Sequence, residues 1–191
     1  MEKVPLHENL LKLLENYSRQ IGGLKGKRIL AVGDNSGFLT YYLQNKGAIV
    51  TGVDKSGEFH NNPIAEELKH RLIKGNVLNF KPTSIRERFD LIVSNAVMSI
   101  EGLTYNWQRL RVKSLKKADI ATIKKMREIA QEKIGPRLHE KFYALLRPGG
   151  AAIHSSYSGE PVEIDVKKIR ETGYEILHRS AQGVVLKKRD T

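Results

Sequence analysis

The chain has 191 residues, 40% of them hydrophobic, enough for one well-buried α/β domain and too few for two comfortable ones. It contains no cysteine, which excludes disulfide staples, thiol nucleophiles and cysteine-based zinc sites. A net charge of +12, from 33 Lys and Arg against 21 Asp and Glu, favours partners rich in phosphate or carboxylate.

In chain order, Leu10, Leu13, Leu14, Tyr17 and Ile21 recur at helical spacing, which predicts an amphipathic N-terminal helix within residues 1–23, ending near Gly22 and Gly23. Residues 27–32 predict a first strand, 37–45 a crossover helix and 48–53 a second strand ending at Asp54. Both strands are continuously apolar, as expected of parallel neighbours covered on both faces. Residues 55–62 read as a loop, and Pro63 opens a short helix to about residue 68. A short apolar run at 71–74 leads into Gly75, Asn76 and Val77. Residues 81–88 are charged and wrap the surface before a fourth strand begins at Phe89. From about 103 to 146 no strand signal occurs; Ile120, Ile123, Met126, Ala130 and Ile134 keep a helical period, with a break near Gly135 and Pro136. A fifth strand follows at 151–155, and 173–177 with 183–187 predict the closing pair.

The most informative stretch is residues 28–54, an apolar run, a glycine loop, a helix, a second apolar run and an aspartate. Gly33 and Gly37 stand four residues apart where strand feeds helix, so backbone can approach a ligand there. Asp54, at the carboxyl end of the next strand, can accept two hydrogen bonds from a ribose. This layout points to an adenosine derivative. A dinucleotide fingerprint would need glycine at Asn35 and Phe38, so a dehydrogenase is disfavoured.

The G-x-x-x-G loop followed by an aromatic, with an acid 21 residues after its first glycine, resembles motifs I and II of the class I S-adenosylmethionine-dependent methyltransferases. Four further segments are similar to that family: Gly75-Asn76-Val77 at the adenine-contacting step, Phe89 to Val97 as the fourth strand, Leu145 to Gly150 as the L-x-P-G-G turn, and the closing pair of strands. The resemblance covers nearly the whole chain. It implies one domain over residues 1–191, α/β and Rossmann-like, with a doubly wound, seven-stranded, mostly parallel sheet, an antiparallel closing strand, and a helical insertion after strand four at about 102–137. It implies S-adenosylmethionine as cofactor, held by Gly33, Asp34, Asn35, Gly37, Asp54, Lys55, Asn76, Val77 and Ser94.

Three positions depart from the family pattern. Ala31 stands where an acid is usual, with Asp34 nearby offering a carboxylate to the cofactor's ammonium. Asn35 replaces a loop glycine, a substitution that asparagine's tolerance of positive φ permits. Asn76 replaces an adenine-contacting acid but keeps an amide oxygen that can accept. These changes keep a non-catalytic binding module of the same fold in view, beside a doubly wound domain that binds another ligand.

Residues 105–137 hold ten basic residues against three acids, a basic lid whose first expected acceptor is RNA or another anionic substrate, followed by a small molecule; a solvated helix face is the plain alternative. Asn95, His154 and Tyr157 are the candidates nearest the acceptor, although a lone strand histidine is more often packed than catalytic. Ser94 and Asn95 lack the prolines and aromatic of the amino-methylating motif, and the missing cysteine removes cytosine-C5 methylation. The six histidines show no metal-ligand spacing, so no metal is expected. Residues 1–5 lack the apolar core of a secretion signal, and no apolar stretch approaches the ~20 residues of a membrane span; a cytoplasmic protein with no membrane partner is expected.

Overall fold

In the computed structural model the described residues are 8–34, 37–55, 72–80, 88–95, 97, 120–156, 162, 164–181 and 183–190. The elements are α1 (Glu8–Gln20), β1 (Arg28–Val32), α2 (Phe38–Asn45), β2 (Ile49–Asp54), β3 (Leu72–Lys74), β4 (Phe89–Asn95), α3 (Ile120–Ile129), a π-helical turn (Ala130–Ile134), α4 (Gly135–Leu145), β5 (Leu146–Ser155), α5 (Val166–Glu171), β6 (Tyr174–Ser180) and β7 (Gly183–Lys188). The helix expected from Pro63 and the insertion as far as residue 119 lie outside the described residues.

The seven strands form one sheet in the order β3-β2-β1-β4-β5-β7-β6. Strands β1 to β5 pair in parallel, and β7 runs antiparallel to both β5 and β6. The order reverses direction between β1 and β4, and outside the carboxyl ends of such a pair a doubly wound sheet opens its binding crevice.

Alternation along the strands sends side chains to two separate cores. Ile29, Ala31, Leu91, Val93, Ile153 and Val185 meet α1 and α2 through Leu10, Leu14, Leu39 and Leu43. Leu30, Val32, Ile92, Ala152, Val184 and Leu186 face the other way, onto Leu138, Phe142 and Leu145 of α4. Burial on both faces explains why Ile29 to Val32 of β1 and Leu91 to Val93 of β4 are apolar at every position.

The break expected near Gly135 and Pro136 is a change of helical winding. The π-helical turn ends at Ile134, and Pro136 occupies the first turn of α4, where its missing N–H costs nothing. β5 begins at Leu146, earlier than expected. The Arg147 guanidinium meets Asp90 at 2.9 Å, and Asp90 also accepts from the Arg28 amide at 2.7 Å, so one carboxylate joins the starts of β1, β4 and β5. Among the described residues no helix is long and apolar enough to cross a membrane.

Candidate functional site

The site begins at the carboxyl ends of β1 and β2. Gly33 has φ +75°, and its amide donates to the Val53 carbonyl at 3.0 Å, which fixes the start of the loop beside the end of β2. A Cβ on Gly33 would lie 2.5 Å from Val97 Cγ2 and 2.8 Å from the Asn95 carbonyl oxygen, so glycine is required by backbone angle and by space. Gly37, also left-handed at φ +80°, turns the chain into α2 but offers no side-chain cap.

The cap comes from Asp34, which is 4% exposed. Its Oδ1 accepts from the Leu39 amide at 2.9 Å and its Oδ2 from the Thr40 amide at 2.7 Å, while its carbonyl accepts from Gly37 at 2.9 Å. Burial pushes this carboxyl up from its ordinary value, the amide bonds pull it back, and the nearby charge of Asp54 adds to the rise. Asp54 is buried at the end of β2, and its carbonyl accepts from Gly75 at 2.8 Å, which sets the third strand's turn against it. Lys55 follows at the rim, its ammonium disfavoured by burial.

The ends of β4 and β5 are closed by side chains. Ser94 pairs with His154 across the parallel strands, and Ser94 Oγ lies 2.7 Å from His154 Nδ1. Both residues are fully buried on the α4 face. The His154 ring stacks on Phe142 at 5.2 Å between centroids and meets His139 edge-on at 5.7 Å. Among the described residues, both ring nitrogens of His139 and Nε2 of His154 lack a hydrogen-bond partner. Burial accordingly lowers His139 to about 4 and holds His154 well below the usual imidazole range. One residue on, Ser155 Oγ donates to Asn95 Oδ1 at 3.3 Å.

No family model matches the chain. Over 83 residues it is 34% identical to the ubiquinone biosynthesis O-methyltransferase of Pasteurella multocida, a match covering 44% of this chain and 33% of that protein. The chain thus spans about a third of the length of the curated relatives it matches. Two solved structures superpose on nearly all of it. The magnesium protoporphyrin IX methyltransferase of Synechocystis PCC 6803 with bound SAM gives a TM-score of 0.58 at 14% identity, covering 94% of this chain and 77% of that one. A 16S rRNA methyltransferase of T. thermophilus in complex with AdoMet and guanosine gives 0.60 at 19% identity, covering 99% and 45%. The chain has the class I methyltransferase fold.

Within that fold the structure brings Gly33, Asp34, Gly37, Asp54 and Lys55 together at the ends of β1 and β2. Three expected cofactor contacts are placed otherwise. Ser94 points into the core because it shares a face with Ile92, and it has no exposed surface. Asn76 Oδ1, expected to accept from adenine, accepts from the Leu78 amide at 3.0 Å, the local turn bond that asparagine makes readily. Val77 is buried with Val53 and Val97. The Asp34 carboxylate, expected at the cofactor's ammonium, is engaged by the amides of α2. His154 is packed, with its free nitrogen facing the core, and so has no route to a substrate proton. Asn35 and Tyr157 lie outside the described residues.

His139, one of the histidines without metal-ligand spacing, is a buried core residue. Its signal was present: Leu138, Phe142 and Leu145 mark the apolar stripe of α4, and His139 lies beside it at a buried position. Of the basic segment, Lys124, Lys125, Lys133 and Arg137 are exposed, while residues 105–119 lie outside the described residues.

Proposed function

We propose that the chain binds S-adenosylmethionine and transfers its methyl group to an anionic acceptor, RNA being the first choice. The carrying observation is the juxtaposition of Gly33 and Asp54, locked by the bond from the Gly33 amide to Val53. A backbone without a side chain stands there beside a strand-end carboxylate, a pairing suited to an adenosyl group whose ribose hydroxyls donate to Asp54. The donor set fits a cationic ligand better than a phosphorylated one. Asp34 and Asp54 are two carboxylates, the charge of Asp54 acting on Asp34, in a chain that is otherwise strongly basic.

When bound, the cofactor supplies an activated methyl on a sulfonium, so the protein's main contribution is alignment. Gly33 and Gly37 would shape the loop around the methionine portion, and Asp54 would orient the ribose. Val97, packed against Gly33, would help exclude water. Among the described residues no histidine stands at this end of the sheet, since His139 and His154 are buried and His178 lies on β6. The exposed basic residues of α3 and α4 support an anionic acceptor.

A second reading, a small molecule methylated on oxygen, is favoured by the relatives, which are named as O-methyltransferases. A third, a non-catalytic module, draws on the burial of Ser94 and on the bond that engages Asn76 with the Leu78 amide. Titration calorimetry with the cofactor and its demethylated product tests the proposal. Saturable heat is expected, and Asp54→Ala is expected to weaken binding about 10- to 100-fold, the loss of charge-assisted hydrogen bonds worth about 1.5–3 kcal/mol. Absence of heat with wild-type protein would defeat the reading. RNA binding that is salt-sensitive yet independent of cofactor would favour the non-catalytic module.

A further inference from the structure

The N-terminus of a helix that follows a glycine loop ordinarily offers free amides to an anion, and the helix dipole adds roughly half a positive charge. In α2 the amides of Leu39 and Thr40 are instead taken by the chain's own Asp34 at 2.9 and 2.7 Å. Gly37 makes this possible. Its left-handed backbone folds the loop back so that a residue three positions earlier reaches the second and third amides of the helix. The carboxylate therefore occupies the place where a nucleotide phosphate would sit in a dinucleotide-binding protein.

The occupation is not a surface accident. Asp34 is 4% exposed and is held from both oxygens and from its carbonyl. A buried carboxylate is costly unless amides and a dipole offset its charge, and α2 supplies both. The pairing neutralises the helix end and leaves net negative charge beside the crevice, next to Asp54, whose charge acts on the same carboxyl. The cation at this rim among the described residues is Lys55, one residue beyond Asp54.

We propose that Asp34 is a specificity determinant: by filling the anion position of α2 it bars phosphorylated nucleotides and reserves the crevice for an uncharged or cationic adenosyl ligand. This rests on the adenosyl-binding reading above but makes a separate claim, because an anion site can be opened whether or not the cofactor binds. Asp34→Gly and Asp34→Ala remove the charge and both acceptor oxygens, leaving the Leu39 and Thr40 amides open. In wild type, ADP and inorganic pyrophosphate are expected to bind no better than adenosine. In both variants the ratio of ADP to adenosine affinity is expected to rise about tenfold or more.

Calorimetry with adenosine, ADP, pyrophosphate and S-adenosylhomocysteine reads this out, and circular dichroism verifies that the variants fold. If both variants are folded and bind ADP and pyrophosphate no better than wild type, the inference is overturned. The same holds if wild type already binds pyrophosphate tightly. If the variants gain pyrophosphate binding while wild type ignores S-adenosylhomocysteine, the role of Asp34 stands and the methyl-transfer reading fails. If one variant unfolds, the other decides.

Discussion

Asp34 and Ser94 sit at the ends of neighbouring parallel strands, and each is a buried polar side chain held by hydrogen bonds, yet they serve different neighbourhoods. Asp34 is satisfied by two backbone amides, and its charge stays at the edge of a crevice beside Asp54. Ser94 is satisfied by His154, inside a layer of aromatic rings with no charge to offset. The direction of the side chain decides the difference. The loop after β1 turns outward to reach a helix terminus, whereas the last residues of β4 keep the pleat, which sends Ser94 beneath the sheet. One half of the carboxyl edge is therefore the proposed place for a ligand, and the other packs its polar side chains into the core.

The largest expected effect breaks the open half. Gly33→Ala meets Val97 and the Asn95 carbonyl at 2.5 and 2.8 Å while holding a left-handed φ, a combination that costs about 3 kcal/mol from strain and overpacking. Urea denaturation should register that loss, together with weakened adenosyl binding.

Acid should break the closed half nearly as strongly. His139 titrates near 6.5 when unfolded and is lowered to about 4 by burial, so only the neutral form suits the folded state. Its contribution is fully present above the usual imidazole range and is lost as pH falls from about 6.5 toward 4, about 3 kcal/mol for a shift of this size. His154 is shifted in the same direction by burial and by His139, and adds to the loss. Asp34 works the other way, since its raised carboxyl is relieved as pH falls. Urea midpoints measured across this window should decline toward acid, and a flat profile would contradict the buried neutral pair.

A smaller effect sharpens the comparison. Replacing His139 by Leu removes two buried nitrogens that have no partner, so stability at neutral pH should rise by about 1 kcal/mol and the acid decline should become shallower. A loss of stability in thermal melts would mean that those nitrogens are bonded in solution. The smallest effect lies outside both halves. Lys124→Gln with Lys125→Gln, on the exposed side of α3, should leave stability within about 0.5 kcal/mol while reducing the salt dependence of RNA binding in a filter assay.

Residue order alone made the parallel strands, the glycine loop and the strand-end Asp54 legible, because apolar runs and left-handed glycines are local demands that any sheet of this kind must meet. The seven-stranded, mostly parallel sheet with an antiparallel closing strand followed from the family resemblance, while the order β3-β2-β1-β4-β5-β7-β6 is a finding of the structure. Which side chains reach the crevice did not follow. A strand residue faces one side or the other according to a register that one step reverses, and Ser94 and His154 fell on the α4 face. Asp34 and Asn76 were turned onto backbone amides two to six residues away, bonds that only the folded backbone makes available. Composition supplied the carboxylates and the imidazoles; three-dimensional packing settled which of them water or a ligand can reach, because burial is a property of neighbours brought together across the sheet.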